Sequence, residues 1–156
     1  MNVTIGSVVF EVSADEAGLG LLLSAVGRPA IRVLENGPGA PDLKDGRVPD
    51  ATQAFLARFL GKEEAALDAA RKATAALLWD EYAGSWREAG DTNVRDVGAF
   101  AQALGAAEMS LFVDEDGSVS MAELHWADRA LFLGHSVFTQ VYEPEAWQSF
   151  DATIFG

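Results

Sequence analysis

In Met109-Ser110-Leu111-Phe112-Val113-Asp114-Glu115-Asp116-Gly117-Ser118-Val119-Ser120-Met121-Ala122-Glu123-Leu124-His125-Trp126, side-chain character changes with a period of two. Before Gly105 the period is 3.6. A period of two places successive side chains on opposite faces of a strand, and Asp116-Gly117 is a strong hairpin turn. Residues 109–113 and 118–127 therefore predict two antiparallel strands joined at Asp114-Glu115-Asp116-Gly117. Downstream, Asp128-Arg129 turns the chain again. Residues 130–142 read as a long third strand, 143–149 as a loop holding Pro144, and 150–155 as a closing strand.

Upstream of Gly105 the signals are helical. Val97, Phe100, Ala101 and Leu104 fit a short helix capped by Asn93 or Thr92. Residues 62–86 give the strongest helical signal, alanine-rich and free of proline. Leu67, Ala70, Leu77, Leu78 and Tyr82 can line one face of that helix. Asp50-Ala51-Thr52-Gln53 reads as a capping box opening a helix with Phe55, Leu56, Phe59 and Leu60, ended by Gly61. Residues 36–50 carry Gly37-Pro38-Gly39-Ala40-Pro41 and Asp45-Gly46, which is turn chemistry. Residues 3–12 read as a strand with a turn near Gly6-Ser7. Ser13-Ala14-Asp15-Glu16 resembles a capping box for a short helix reaching Val26, and residues 31–34 form another strand. The expected architecture is α+β in one domain. An N-terminal β unit (1–35) and a loop (36–50) precede helices (51–104), which pack on a C-terminal antiparallel meander (106–156).

The chain has 156 residues, enough to bury roughly 68–70% of the surface exposed when unfolded. Net charge is 11 − 24 = −13. Such a charge repels phosphate backbones and anionic lipid, so neither nucleic acid nor a membrane surface is an expected partner. There is no cysteine, which excludes disulfides, thiolate metal sites and cysteine nucleophiles. The apolar run at 18–27 is about half the roughly 20 residues a bilayer span needs. Glu11, Asp15 and Glu16 precede it where a signal peptide carries positive charge. A cytoplasmic location is the expectation.

Leu131-Phe132-Leu133-Gly134-His135-Ser136-Val137 follows the acidic Asp128, and Ala152-Thr153-Ile154-Phe155-Gly156 closes the chain. Trp86 at a helix end, then Phe100 and Leu104, precede the strand at 109–113. This order, from about Leu77 to Gly156, resembles an uncharacterised family of bacterial domains of unknown function. The family pattern is a helix ending in Trp, Phe-x-x-x-Leu, a strand, an Asp-Gly hairpin, an acidic turn, Leu-Phe-Trp-Gly-His and a closing strand. Here Leu133 stands where that family usually has tryptophan. The resemblance implies no established activity. Similar small acidic bacterial domains occur as immunity or accessory proteins in toxin loci.

His125 and His135 are the first candidates for chemistry. A two-residue turn at Asp128-Arg129 sets Trp126 opposite Leu131, His125 opposite Phe132 and Ala122 opposite His135. The imidazoles then point to opposite faces and share no metal. A three-residue loop would reverse that parity. Beside Leu131, Leu133 and Val137, His135 reads as a buried scaffold residue. In a calcium-loop alignment of 114–123, Phe112 falls at the first ligand position, so an acidic hairpin turn is the better reading. Trp79, Tyr82 and Trp86 form a helical stripe that packs on the sheet. Trp147, in a loop with Glu143 and Glu145, reads as a partner contact.

No Gly-x-Ser-x-Gly elbow, phosphate loop or metal-ligand spacing is present in the sequence, so no catalytic, metal or cofactor residue is assigned. The expected function is non-enzymatic: an acidic binding protein engaging a basic protein. Asp114, Glu115, Asp116, Trp126, Asp128, Arg129, His135 and Trp147 are its candidate contacts. The alternative is a small enzyme or ligand-binding domain with a pocket at His135, and a homodimer through the helical face or a sheet edge is a third arrangement.

Overall fold

A computed structural model describes residues 1–37, 43–87, 94–127 and 131–156, apart from the Lys44 side chain. Its strands are β1 (Asn2–Ile5), β2 (Val8–Ala14), β3 (Gly20–Ser24), β4 (Ile31–Glu35), β5 (Ala107–Val113), β6 (Val119–Trp126), β7 (Ser136–Glu143) and β8 (Gln148–Phe155). Its helices are α1 (Asp50–Leu60), α2 (Glu63–Glu81) and α3 (Val97–Ala103), and α2 runs on into a π-helical turn at Tyr82–Trp86. All eight strands form one sheet in sequence order. Every neighbouring pair is antiparallel except β4 and β5, which run parallel. The α+β class is as expected, and the N-terminal β unit and helical middle are roughly as expected; the N-terminal strands join the C-terminal ones in the same sheet. Two four-stranded meanders are fused through Val33 opposite Leu111. The helices form the long crossover that a parallel pair requires.

The helices cover one face of the sheet. Phe10, Leu21, Leu23, Val33, Leu111, Leu124 and Val141 point into that core and are fully enclosed. The other face, with Leu22, Leu34, Phe112, Met121, His125 and Phe138, is only half-buried. Tyr82, Phe100, Phe132 and Trp86 form an aromatic cluster, with Tyr82–Phe132 centroids at 5.6 Å and Phe100–Phe132 at 6.0 Å. Edge-to-face pairs of this kind add about 0.5–1.5 kcal/mol each beyond their buried area. Trp79 joins Tyr82 and Phe100, so the aromatic stripe of α2 packs in the core.

Several local expectations are corrected. Residues 13–26 form no helix. Asp15 Oδ1 accepts from the N–H groups of Leu19 and Gly20 at 2.8 and 3.1 Å, closing a β2–β3 hairpin with Gly18 at φ 69°. Asp50 makes no side-chain cap on α1. Gln53 instead donates to the Val48 carbonyl, and the Thr52 hydroxyl donates to the Gly117 carbonyl. Leu77 is 51% exposed, off the packed face of α2. Asp96 caps α3 by accepting from the Ala99 N–H at 2.8 Å, while Asn93 and Thr92 lie outside the described residues. The third C-terminal strand begins at Ser136, because residues 131–134 form a turn. Trp126 therefore faces Val137, and His125 faces Phe138.

Candidate functional site

The strand directions gather four connections at one end of the sheet: β2–β3, β4–α1, β5–β6 and β7–β8. Those connections, the strand residues entering them and the first residue of α1 hold Asp15 and Glu16, Glu35, Asp45 and Asp50, Asp114, Glu115 and Asp116, and Glu143 and Glu145. That is ten of the 24 acidic residues. At the opposite end, the described connections (6–7, 25–30, 105–106 and 131–135) carry one arginine, Arg28, and no carboxylate. Among the described connections the carboxylates are thus concentrated at one end of the sheet.

Local hydrogen bonds fix this acidic end. The β5–β6 turn closes through the Asp114 N–H to the Ser118 carbonyl at 2.9 Å. Asn36, at the end of β4, donates from Nδ2 to Asp114 Oδ1 at 2.8 Å and to Ser120 Oγ at 2.9 Å. Asp116 Oδ1 accepts from the Ser118 hydroxyl and N–H at 2.5 and 2.9 Å, which holds its carboxyl below the usual carboxylate range. Gly117 has φ 77°, and a Cβ there would meet Pro49 Cβ at 2.6 Å, so the turn sits against the start of α1. Between the two lies a hollow of about 330 Å³ lined by Leu43, Asp45, Arg47, Pro49, Asp50, Ala51 and Asp116. The Arg47 side chain reaches Asp50 at 3.3 Å and its backbone N–H donates to Asp45 Oδ1 at 2.9 Å, so the second oxygens of Asp45 and Asp116 are the further acceptors on the same rim. Arg58 bridges to Glu145 at 2.7 Å.

Of the contact residues read from the sequence, Asp114, Glu115 and Asp116 lie together at this end. Trp126 is 2% exposed, and its indole N–H donates to Thr139 Oγ1 at 2.8 Å inside the core. Trp147 is 8% exposed and donates to the Ala66 carbonyl at 2.6 Å, pinning the β7–β8 turn to α2. Neither indole is available to a partner. His135 is half-buried, its ring centroid 5.0 Å from that of Trp86 in an edge-to-face contact, beside a turn at the other end of the sheet. His125 stacks on Phe138 at 4.6 Å on the open face. Asp128 and Arg129 lie outside the described residues. The acidic residues that sequence reasoning missed are those of the other three connections. Most of them adjoin a strand end, which is visible only once strand ends are known, whereas Asp45 and Asp50 are brought there by the approach to α1.

Among the described residues no group of three histidines or carboxylates is arranged to hold a metal ion. Nor is any described helix long and apolar enough to cross a membrane. A hollow of about 610 Å³ with a mostly apolar lining lies between α2 and α3, not at His135. Its floor is Ala75, Ala101 and Leu104. On its rim, Arg71 donates to the carbonyls of Leu104 and Gly105 and lies over the Trp126 ring. Compared with family models, with curated proteins and with solved structures, the chain has no match.

Proposed function

We propose that this chain is a non-enzymatic binding protein whose acidic sheet end docks on a basic surface of another protein, in the manner of an immunity or accessory protein. The observation that carries this reading is the gathering of ten carboxylates at one end of the sheet, around a hollow lined by Asp45, Asp50 and Asp116 in which Arg47 is the one described cation. A hollow with carboxylates on its rim suits a lysine or arginine side chain, and the surrounding negative field would speed encounter with a cationic face.

The test is affinity capture from the native host, followed by association kinetics with the purified partner. A basic protein should be retained at low salt, and its association should slow markedly as ionic strength rises. A variant carrying Asp45→Asn, Asp50→Asn and Glu115→Gln should capture it more weakly. Retention unchanged by both salt and the triple variant, or no basic partner at either salt, would overturn the reading.

A second reading is favoured by the α2–α3 hollow. Its volume of about 610 Å³ falls in the range of roughly 300–1,000 Å³ common to small-molecule sites. A ligand there would rest an apolar body on Ala75 and Ala101 beside the Lys72 ammonium. A thermal-shift screen of the wild-type chain against Ala101→Trp, which fills the floor, separates it from the first reading.

A further inference from the structure

The two outer strands of the sheet are guarded differently. β1 has four residues, whereas β8 has eight. Exposed edges are normally blunted by shortness, lysine, proline or a bulge. β8 contains neither lysine nor proline, and Asp151 is its one charged residue. Its core-facing side chains, Phe150, Ala152 and Ile154, are only half-buried, although Val137, Thr139 and Val141 beside them on β7 are fully enclosed. Leu77 of α2 is 51% exposed. Tyr82 meets Phe100 of α3 at 4.9 Å, and Arg71 reaches the end of α3. Helical geometry puts Leu77 on the opposite flank of α2, above the β8 edge. Half-buried Phe150, Ala152 and Ile154, with Leu77 above them, therefore leave apolar surface along the outer side of β8.

The edge backbone is oriented for pairing. The Ala152 N–H is satisfied by Asp151 Oδ1 at 2.8 Å, not by a β7 carbonyl. In an antiparallel ladder the backbone groups of successive residues alternate in direction. Phe150, Ala152 and Ile154 thus turn their N–H and C=O groups outward, while Asp151 and Thr153 turn theirs toward Gln140 and Phe138.

We infer that β8 pairs antiparallel with β8 of a second copy of this chain about a two-fold axis at Ala152. That register sets Ala152 opposite Ala152, and Phe150 opposite Ile154 of the second copy. Apolar side chains meet on the helix side, and each pair exchanges two backbone hydrogen bonds. Asp151 falls opposite Thr153 of the second copy, so no like charges face each other. With one carboxylate in eight residues, β8 is a strip along which two chains of charge −13 can approach. The Asp151 carboxylate releases the Ala152 N–H as the second strand docks. The acidic connections lie at strand ends, so pairing leaves them open, and this inference is independent of the proposed basic partner.

Sedimentation of the full chain over a wide concentration series tests it. The expected mass rises to twice 16.6 kDa. Ala152→Pro deletes an outward N–H without touching the β7 ladder, and it should weaken the dimer roughly tenfold or more. Leu77→Lys changes an exposed helix position and should weaken it too, with an unchanged circular dichroism spectrum; it carries the test if the proline variant fails to fold. A monomer at every concentration overturns the inference. So does a dimer that folded Leu77→Lys or Ala152→Pro protein forms as tightly as the wild type.

Discussion

Thr74 on α2 and Thr139 on β7 share a hydrogen bond in the centre of the core, where both are fully buried. The protons can be placed by elimination. The Trp126 indole N–H can only donate, and it donates to Thr139. Thr74 donates to the Ala70 carbonyl at 2.7 Å, so the proton between the two hydroxyls belongs to Thr139. The relay runs one way, from Trp126 through Thr139 and Thr74 to the α2 backbone, and every member is satisfied.

Thr139→Val keeps the shape of the side chain but strands the indole N–H. A buried donor left without a partner costs about 1–3 kcal/mol. Chemical denaturation should show a loss in that range. Thr74→Val strands the Thr139 proton instead, and the double variant should lose less than the sum of the two. Additive losses would show that the hydroxyls act separately.

Gly117 is required for two reasons at once. Its φ of 77° disfavours a side chain, and a Cβ would press on the Pro49 ring at 2.6 Å. Its carbonyl also accepts from the buried Thr52 hydroxyl at 2.7 Å. Gly117→Ala should therefore destabilise the protein by about 1–3 kcal/mol, visible as a lowered denaturation midpoint. Gly6→Ala, also at positive φ (60°) but with open space around it, should cost less.

The legible parts of the fold were those set by local chemistry. The Asp116-Gly117 turn announces itself because a positive φ there favours glycine. The long helix is visible from alanine content and the absence of proline. Ser13-Ala14-Asp15-Glu16 misleads because the same residue types that cap a helix also close a tight turn, and Gly18 with Gly20 decides for the turn. Leu131 and Phe132 have strand-like composition, yet they are buried by a turn that feeds the aromatic cluster. The turn sets the β6–β7 register at Trp126 opposite Val137 and leaves His135 just outside the sheet. Trp147 looked exposed because of its acidic neighbours, but the Ala66 carbonyl that holds it lies far away in sequence. The parallel β4–β5 pairing joins distant segments, so it leaves no local trace. The acidic end of the sheet depends on that pairing and was legible only at its central hairpin.

Asp116 supplies a pH test of that hairpin. Its two bonds from Ser118 favour the carboxylate, so its folded pKa lies below the unfolded value. A group shifted this way contributes stability above the unfolded pKa and loses it as pH falls through the folded pKa. Ser118→Ala removes the hydroxyl bond, the larger cause, and keeps the N–H bond. NMR titration of the Asp116 carboxyl carbon should show its midpoint move up toward the ordinary aspartate value. An unmoved midpoint would mean that the backbone N–H alone sets the shift.

Leu133 has φ 51° and is followed by Gly134 at φ 92°, so two consecutive residues sit in the left-handed region. Leucine there is strained by about 1–2 kcal/mol, from contact of its Cβ with the following carbonyl. Its side chain is 54% exposed, so it recovers little of this through burial. Leu133→Gly removes the strain at a cost of roughly 0.5–1 kcal/mol in unfolded-chain entropy. Leu133→Asn tolerates the conformation without that entropy cost. Both variants should match or exceed the wild type in thermal melting, with asparagine the better of the two by up to about 1 kcal/mol. A clear loss in both would mean that the half-exposed leucine makes contacts worth more than its strain. The position would then serve packing at the His135 turn, and that turn would become the next place to look for a bound partner.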